Sequence, residues 1–216
     1  MRRLGILATL PLTILFFFVS ASASNAATAI DLGTADSFAV VGASGVTNTG
    51  PSVVNGDLGT SPNPSVTGFG GAPNGTVNGA THQADAVAAQ AQAATTTAYN
   101  NAAGQGPTTM LATELGGQTL TPGVYNSASG TFGITGTVTL NAQGDPNAVF
   151  IFKTASTLIT GSASRVNLIN SAQSCRVYWQ VGSSVTPLLS VIDVRAMMLP
   201  RNTESVPRVA DEPTCQ

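Results

Sequence analysis

The side chains with which this 216-residue chain could do acid–base, nucleophilic or metal chemistry are few: one histidine, two cysteines, ten carboxylates and eight basic residues. His82 lies one residue after Thr81, with Asp85 three positions on, and reads as a solvated or capping side chain in preference to a metal ligand or a base. A Ser-His-Asp site is weakly signalled because no Gly-x-Ser-x-Gly turn presents a serine. A hydrolase would need two or three carboxylates converging on one groove, and Asp57, Asp85, Glu114 and Asp145 are scattered along the chain. Gly68-Phe69-Gly70-Gly71 is not followed by the lysine and helix that a phosphate loop requires. The expectation is a protein that is not an enzyme and has no cofactor and no metal. Eight Lys and Arg are also too few to form the basic patch that neutralises phosphates, which excludes a polycationic nucleic-acid binder.

What remains is the chemistry of uncharged hydroxyls and amides on a chain that is 43% hydrophobic and only 8% charged. The run Ile134-Thr135-Gly136-Thr137-Val138-Thr139-Leu140 alternates, with Ile134, Val138 and Leu140 on one side and Thr135, Thr137 and Thr139 on the other. A sheet displays side chains about 4.7–4.9 Å apart across strands and about twice 3.3 Å apart along them. That spacing is close to the oxygen repeat of ice planes. Threonine suits such a lattice because its β-branched side chain has few rotamers and presents a methyl and a hydroxyl together. The plainer reading is that threonine is a good exposed-strand residue.

The elements that would position these residues are short. Between Ile30 and Gly79, apolar pieces such as Phe38-Ala39-Val40-Val41 are punctuated by Gly, Pro, Asn and Ser turns, as in the coils of a solenoid or a sandwich. Residues 80–103 are rich in alanine and predict a helix, with Asn78 or Thr81 as cap and Gly104 at its end. Its small face of Ala84, Val87, Ala91, Ala94, Ala98 and Ala102 suits close packing along a regular surface. Val149-Phe150-Ile151-Phe152 is apolar on both sides, as a strand between core and helix would be, and Val177, Trp179 and Val181 alternate with polar neighbours. No fixed-length repeat is evident, so the expected class is mainly β: an irregular solenoid with one long helix packed along it.

The two ends differ from the middle. Arg2 and Arg3 precede an apolar run from Leu4 to Val19 and the small residues Ala21-Ser22-Ala23, the layout of a secretory signal cleaved near Ala23 or Ala27. The run is shorter than the roughly 20 residues needed to span a bilayer, so the expectation is residues 1–27 as signal peptide, an extracellular product and no stable membrane insertion. Residues 28–186 hold nine charges, whereas residues 187–216 hold seven charges and four prolines and no glycine. Those last residues read as an atypical, poorly ordered tail. Export would permit a Cys175–Cys215 disulfide, and Asn74-Gly75-Thr76 is a glycosylation sequon.

The order of motifs resembles that of a known family. Ala29-Ile30-Asp31-Leu32-Gly33-Thr34-Ala35, Phe38-Ala39-Val40-Val41 and Val54-Asn55-Gly56-Asp57-Leu58-Gly59-Thr60-Ser61-Pro62 come before the alanine-rich helix. Leu115-Gly116-Gly117-Gln118-Thr119-Leu120-Thr121-Pro122-Gly123-Val124-Tyr125, Ala148-Val149-Phe150-Ile151-Phe152 and Val177-Tyr178-Trp179-Gln180-Val181-Gly182-Ser183-Ser184 come after it. Over residues 29–186 the chain is similar to the ice-binding-like (antifreeze) protein family of cold-adapted bacteria, fungi and algae. The resemblance implies a discontinuous right-handed β-solenoid of triangular section, no enzymatic activity, secretion, and adsorption of a Thr- and Asn-bearing face to an ice crystal surface. It also implies that C-terminal coils are missing, which would leave a gap and exposed strand edges beside the Ile30–Gly79 coils. The family's surface motif, Thr-Ala/Gly-x-Thr/Asn, is matched by Thr154-Ala155-Ser156-Thr157. Outward alternation and that match give Thr135, Thr137, Thr139, Thr154, Thr157 and Thr160 as the expected ice-binding residues. The alternative is an adhesion or matrix module that binds extracellular polysaccharide or another protein on the same scaffold.

Overall fold

A computed structural model of the chain describes residues 27–186 and 196–198. Short strands joined by turns build two stacks of coils. The first stack comprises β1 (Phe38–Gly42), β2 (Val46–Thr47), β3 (Val53–Val54), β4 (Asp57–Thr60), β5 (Val66–Thr67), β6 (Thr76–Val77) and β7 (Thr81–Gln83). Helix α1 (Ala86–Gly104) follows. The second stack comprises β8 (Thr109–Leu111), β9 (Thr119–Leu120), β10 (Gly123–Ser127), β11 (Phe132–Ile134), β12 (Thr137–Asn141), β13 (Phe150–Thr154), β14 (Thr157–Thr160), β15 (Arg165–Ile169), β16 (Val177–Val181), β17 (Ser184–Thr186) and β18 (Ala196–Met198).

Strands pair in parallel with the equivalent strand of the next coil, so a complete coil contributes one strand to each of three sheets; the coil of β8 and β9 reaches the second sheet only through a bridge from Glu114 to Gly133. In the second stack these sheets run β18-β16-β13-β10-β8, β11-β14-β17 and β15-β12-β9; in the first they run β1-β4-β7, β2-β5 and β3-β6. A full coil in the second stack measures 27 residues on its first face, where Gly123 pairs with Phe150 and Phe150 with Val177. The first stack winds in shorter coils, with Val46 opposite Val66 and Leu58 opposite Thr81. On the other faces the spacing is unequal, 26 residues from Phe132 to Leu158 and 28 from Thr137 to Arg165, as expected of an irregular solenoid without a fixed-length repeat.

Inward columns explain why the coils hold together. Tyr125, Phe152 and Trp179 stand in register on successive strands. Phe152 stacks on Trp179 at 4.2 Å between ring centroids, and Phe132 from the second face meets both edge-on. Such contacts add about 0.5–1.5 kcal/mol per pair beyond the area they bury. The first stack has its own smaller core of Val40, Val46, Val54 and Leu58. Among the described residues no strand of one stack pairs with a strand of the other.

Helix α1 links the two. It packs against β1, β4 and β7 and against β13, β16 and β18. Ala88, Ala91, Ala98 and Ala102 are buried, and the last two meet the outward column Val124–Ile151–Tyr178 together with Ile30. Methyl-sized side chains let the helix backbone lie close to the sheet. The helix starts later than residue 80, because Thr81–Gln83 is drawn into the first sheet as β7 and the chain turns at Ala84, whose φ is 53°. Asp85 is the cap, accepting from the Ala88 amide at 2.8 Å, so neither Asn78 nor Thr81 serves. Val87, expected on the buried face, is 47% exposed. At the other end Lys153 Nζ donates to the carbonyls of Ala103 (3.1 Å) and Gln105 (2.6 Å), a cation where the helix dipole favours one. Desolvation there holds the Lys153 amine below its ordinary pKa.

Within the segment expected to be an atypical tail, Ala196–Met198 pairs with Tyr178–Gln180. The remainder of that tail, Cys215 with its expected disulfide, and the signal sequence before Ala27 lie outside the described residues, as do the residues after Met198 that bear on the gap expected beside the Ile30–Gly79 coils.

Candidate functional site

Of the three faces, the first lies under α1. The second (β11-β14-β17, with β2-β5 at the same place in the first stack) and the third (β9-β12-β15, with β3-β6) carry no helix. The six expected threonines do not share one of these faces.

Thr137 and Thr139 lie on the third face. Thr139 pairs with Thr119 and Asn167, and Thr137 with Arg165. Thr157 lies on the second face opposite Ser184, their hydroxyl oxygens 3.3 Å apart. Thr135 belongs to neither. The run from Ile134 to Leu140 is two strands, not one, because the chain turns the corner at Gly136, whose φ of 80° favours glycine. The corner resets the alternation, and Thr135 gives both its amide and its hydroxyl to the Glu114 carboxylate.

Thr154 and Thr160 are buried, with 2% and 0% exposure, and so cannot touch a crystal. Thr160 pairs with the buried Ile134 on an inward column. Thr154 ends β13 opposite the buried Val181, and its hydroxyl donates to the Gly130 carbonyl at 2.6 Å. The parity of β13 turns it inward, while the corner at Ala155–Ser156 turns Thr157 outward.

Further positions, outside the six expected threonines, complete the two surfaces. On the second face Thr47 and Thr67 form an outward pair, the Thr67 hydroxyl donating to Thr47 at 3.2 Å, and Ile159 stands 48% exposed beside Gly133. Ser156 and Thr157 oxygens are 3.2 Å apart. The signal for the first pair was present in the repeated Val46-Thr47 and Val66-Thr67 dipeptides, 20 residues apart. On the third face Thr119 and Asn167 flank Thr139, Asn141 accepts from Asn170 (2.9 Å), and Asn55 accepts from Asn78 (2.7 Å).

Charge separates the two faces. Among the described residues, the strands of the second face carry no ionisable side chain, and Glu114, bridged to Gly133, stands at its rim. Partial burial pushes the Glu114 carboxyl up, but hydrogen bonds from the Thr135 hydroxyl and amide and from Gly116 and Leu115 outweigh this and hold it below its ordinary range. The third face presents the exposed Arg165 within a strand.

His82 pairs with Asp85 at 2.7 Å and lies against Phe38, ring centroids 5.5 Å apart. The Ala88 amide, and then His82, hold the Asp85 carboxyl below its usual value, so the pair serves the helix start. Among the described residues no three His, Cys, Asp or Glu gather as metal ligands, and no helix is long and apolar enough to cross a membrane.

A family model described as ice-binding-like matches residues 40–189. An ice-binding protein of Nostoc sp. (strain HG1) is 47% identical over 176 residues, covering 81% of this chain and 64% of that protein, so the chain spans somewhat less than two thirds of its relative. The crystal structure of an ice binding protein from an Antarctic biological consortium matches with a TM-score of 0.69 at 40% identity, covering 82% of this chain and 76% of that one. An ice-binding protein from the Antarctic ascomycete Antarctomyces psychrotrophicus matches at 0.68 and 37% identity, covering 73% of this chain and 77% of that one.

Proposed function

Since the chain belongs to the ice-binding-like family, we propose that it is a secreted, non-catalytic protein that adsorbs to ice through the second face of its solenoid and restrains recrystallisation. The observation that carries this reading is that the second-face strands of the two stacks present paired hydroxyls and an exposed apolar group, Thr47–Thr67, Thr157–Ser184 and Ile159, with the one ionised side chain beside them, Glu114, at the edge opposite Gly133 and tied down by Thr135. An ionised group organises its hydration shell around itself, in conflict with the lattice, whereas a methyl orders neighbouring water and a hydroxyl anchors it. Parallel pairing repeats these groups at strand spacing over a close-packed core, so little mobility is lost on adsorption.

Thr157 thus stays in the proposed site, joined by Thr47, Thr67, Ile159 and Ser184. Thr137 and Thr139 are assigned to a third face weakened for this purpose by Arg165. Thr135, Thr154 and Thr160 leave the contact set. The test compares Thr157→Lys with Thr139→Lys in ice-affinity partitioning and recrystallisation assays, after circular dichroism has established that both are folded. The second-face variant is expected to lose roughly tenfold or more in effective concentration, as a fully desolvated lysine opposes adsorption, with the third-face variant close to the parent. The reverse pattern would move the site to the third face. If neither variant differs from an active parent, adsorption through these faces is wrong; a parent inert towards ice but retained on polysaccharide at room temperature would favour the adhesion reading. Secretion is tested by the N-terminal sequence of the exported product, expected to begin between Ser24 and Thr28.

A further inference from the structure

Thr154 heads the motif Thr154-Ala155-Ser156-Thr157, yet its hydroxyl points into the molecule. Gly130, in the preceding coil, accepts two hydrogen bonds at its carbonyl: from the Thr154 hydroxyl at 2.6 Å and from the Ser156 amide at 2.8 Å. The next coil is tied to the same turn, since the Gly182 amide donates to the Thr154 carbonyl and the Ser183 amide to the Ser156 carbonyl, each at 2.9 Å. The coils approach so closely there that a Cβ on Gly182 would lie 2.1 Å from the Ala155 carbonyl oxygen.

Other residues on this inward column do not provide the same link. Ser127, one position past the Asn126–Lys153 pair, donates to Thr131 within its own coil, and Val181 has no hydroxyl. We propose that Thr154 is a positioning residue for ice adsorption: its buried hydroxyl fixes the corner between the first and second faces, and that corner sets where Ser156, Thr157 and Ser184 stand relative to one another. The first threonine of the motif then acts through the last and never meets the ice. This rests on the assignment of the second face as the ice surface.

The test is a double-mutant cycle read on ice. Thr154→Val keeps the shape of a position whose neighbour in the column is already valine, and removes only the hydroxyl. It is expected to raise the concentration needed for half-maximal recrystallisation inhibition about three- to tenfold, while the far-ultraviolet spectrum near 0 °C is unchanged. Thr157→Ala is expected to weaken inhibition on its own, and Thr154→Val added to it should have little further effect, because the group it positions is gone. Thr154→Ser, which retains the hydroxyl, should restore inhibition even if its melting temperature falls. A purely structural Thr154 would lower the melting temperature with no such coupling.

If Thr157→Ala weakens inhibition and Thr154→Val does not, or if the two losses multiply independently, the positioning role is overturned and the face assignment stands. If a folded Thr157→Ala variant matches an active parent, the face assignment itself fails. Should Thr154→Val not fold, Thr154→Ser decides: a folded serine variant that has lost ice inhibition overturns the proposal.

Discussion

The second and third faces of the solenoid are cut from the same coils and backed by the same core. Leu158 behind the second and Leu140 behind the third are both fully buried in that core. Both faces present hydroxyls at strand spacing. They differ in what stands among the hydroxyls: exposed Ile159 and neutral partners on one, Arg165 and an amide-rich border on the other. The lesson is that threonine alternation marks a solvent-facing strand on either side, and that the two faces differ in where charge stands: Glu114 at the edge of the second, held by Thr135, and Arg165 within a strand of the third.

The largest effect that could break this comparison comes from beneath the faces. Leu158→Ala and Leu140→Ala should each cost about 2–5 kcal/mol, because each leaves a cavity in a close-packed core. Denaturant unfolding would register the two as similar. In ice assays run near 0 °C on folded protein, Leu158→Ala should be the more damaging, since it removes support under Thr157 and Ile159; equal damage would mean that the two faces share the work.

A smaller effect should sharpen the comparison from the other side. Arg165→Thr makes the Thr137–Arg165 pair a threonine pair and removes the third face's guanidinium. Melting should shift by no more than about 0.5 kcal/mol equivalent, as for other exposed substitutions, while ice-affinity partitioning should rise a few-fold. No change in partitioning would show that charge is not what disqualifies the third face.

The smallest effect belongs to the corner between them, where Glu114 holds Thr135. Its folded pKa lies below the ordinary value of 4.5, so the ionised form is favoured by folding. The stability this contributes is present above the unfolded pKa and is lost as pH falls through the folded one. The melting temperature should therefore decline from about pH 5 downwards, and Glu114→Gln should flatten that part of the decline. The group is largely exposed, so the difference is small; a Glu114→Gln profile identical to the parent's would remove Glu114 as the corner's holder.

Much of this architecture was legible from residues close together in sequence. The alternation in Val177–Val181, the doubly apolar Val149–Phe152 and the alanine-rich run over residues 80–103 identified a strand, a strand sandwiched by a helix, and the helix. The helix start was misread because Thr81-His82-Gln83 is compatible with either state, and pairing with Leu58–Thr60 decided between them. The candidate site was less legible. Thr154 and Thr157 sit three residues apart in one motif, yet one is buried and the other lies on a face, and Thr135 and Thr137 are separated by a corner.

By itself the sequence determined what depends on neighbours along the chain: a low-charge, hydroxyl-rich middle, short strands with glycine corners, and one small-faced helix. Only the tertiary structure decided which residues share a face. A strand sets the direction of its side chains with a period of two, but each corner resets that parity. The partner across the sheet lies a whole coil away, from Val46 to Val66 in one stack and from Phe150 to Val177 in the other, a distance fixed by turn lengths and not by the alternation within either strand.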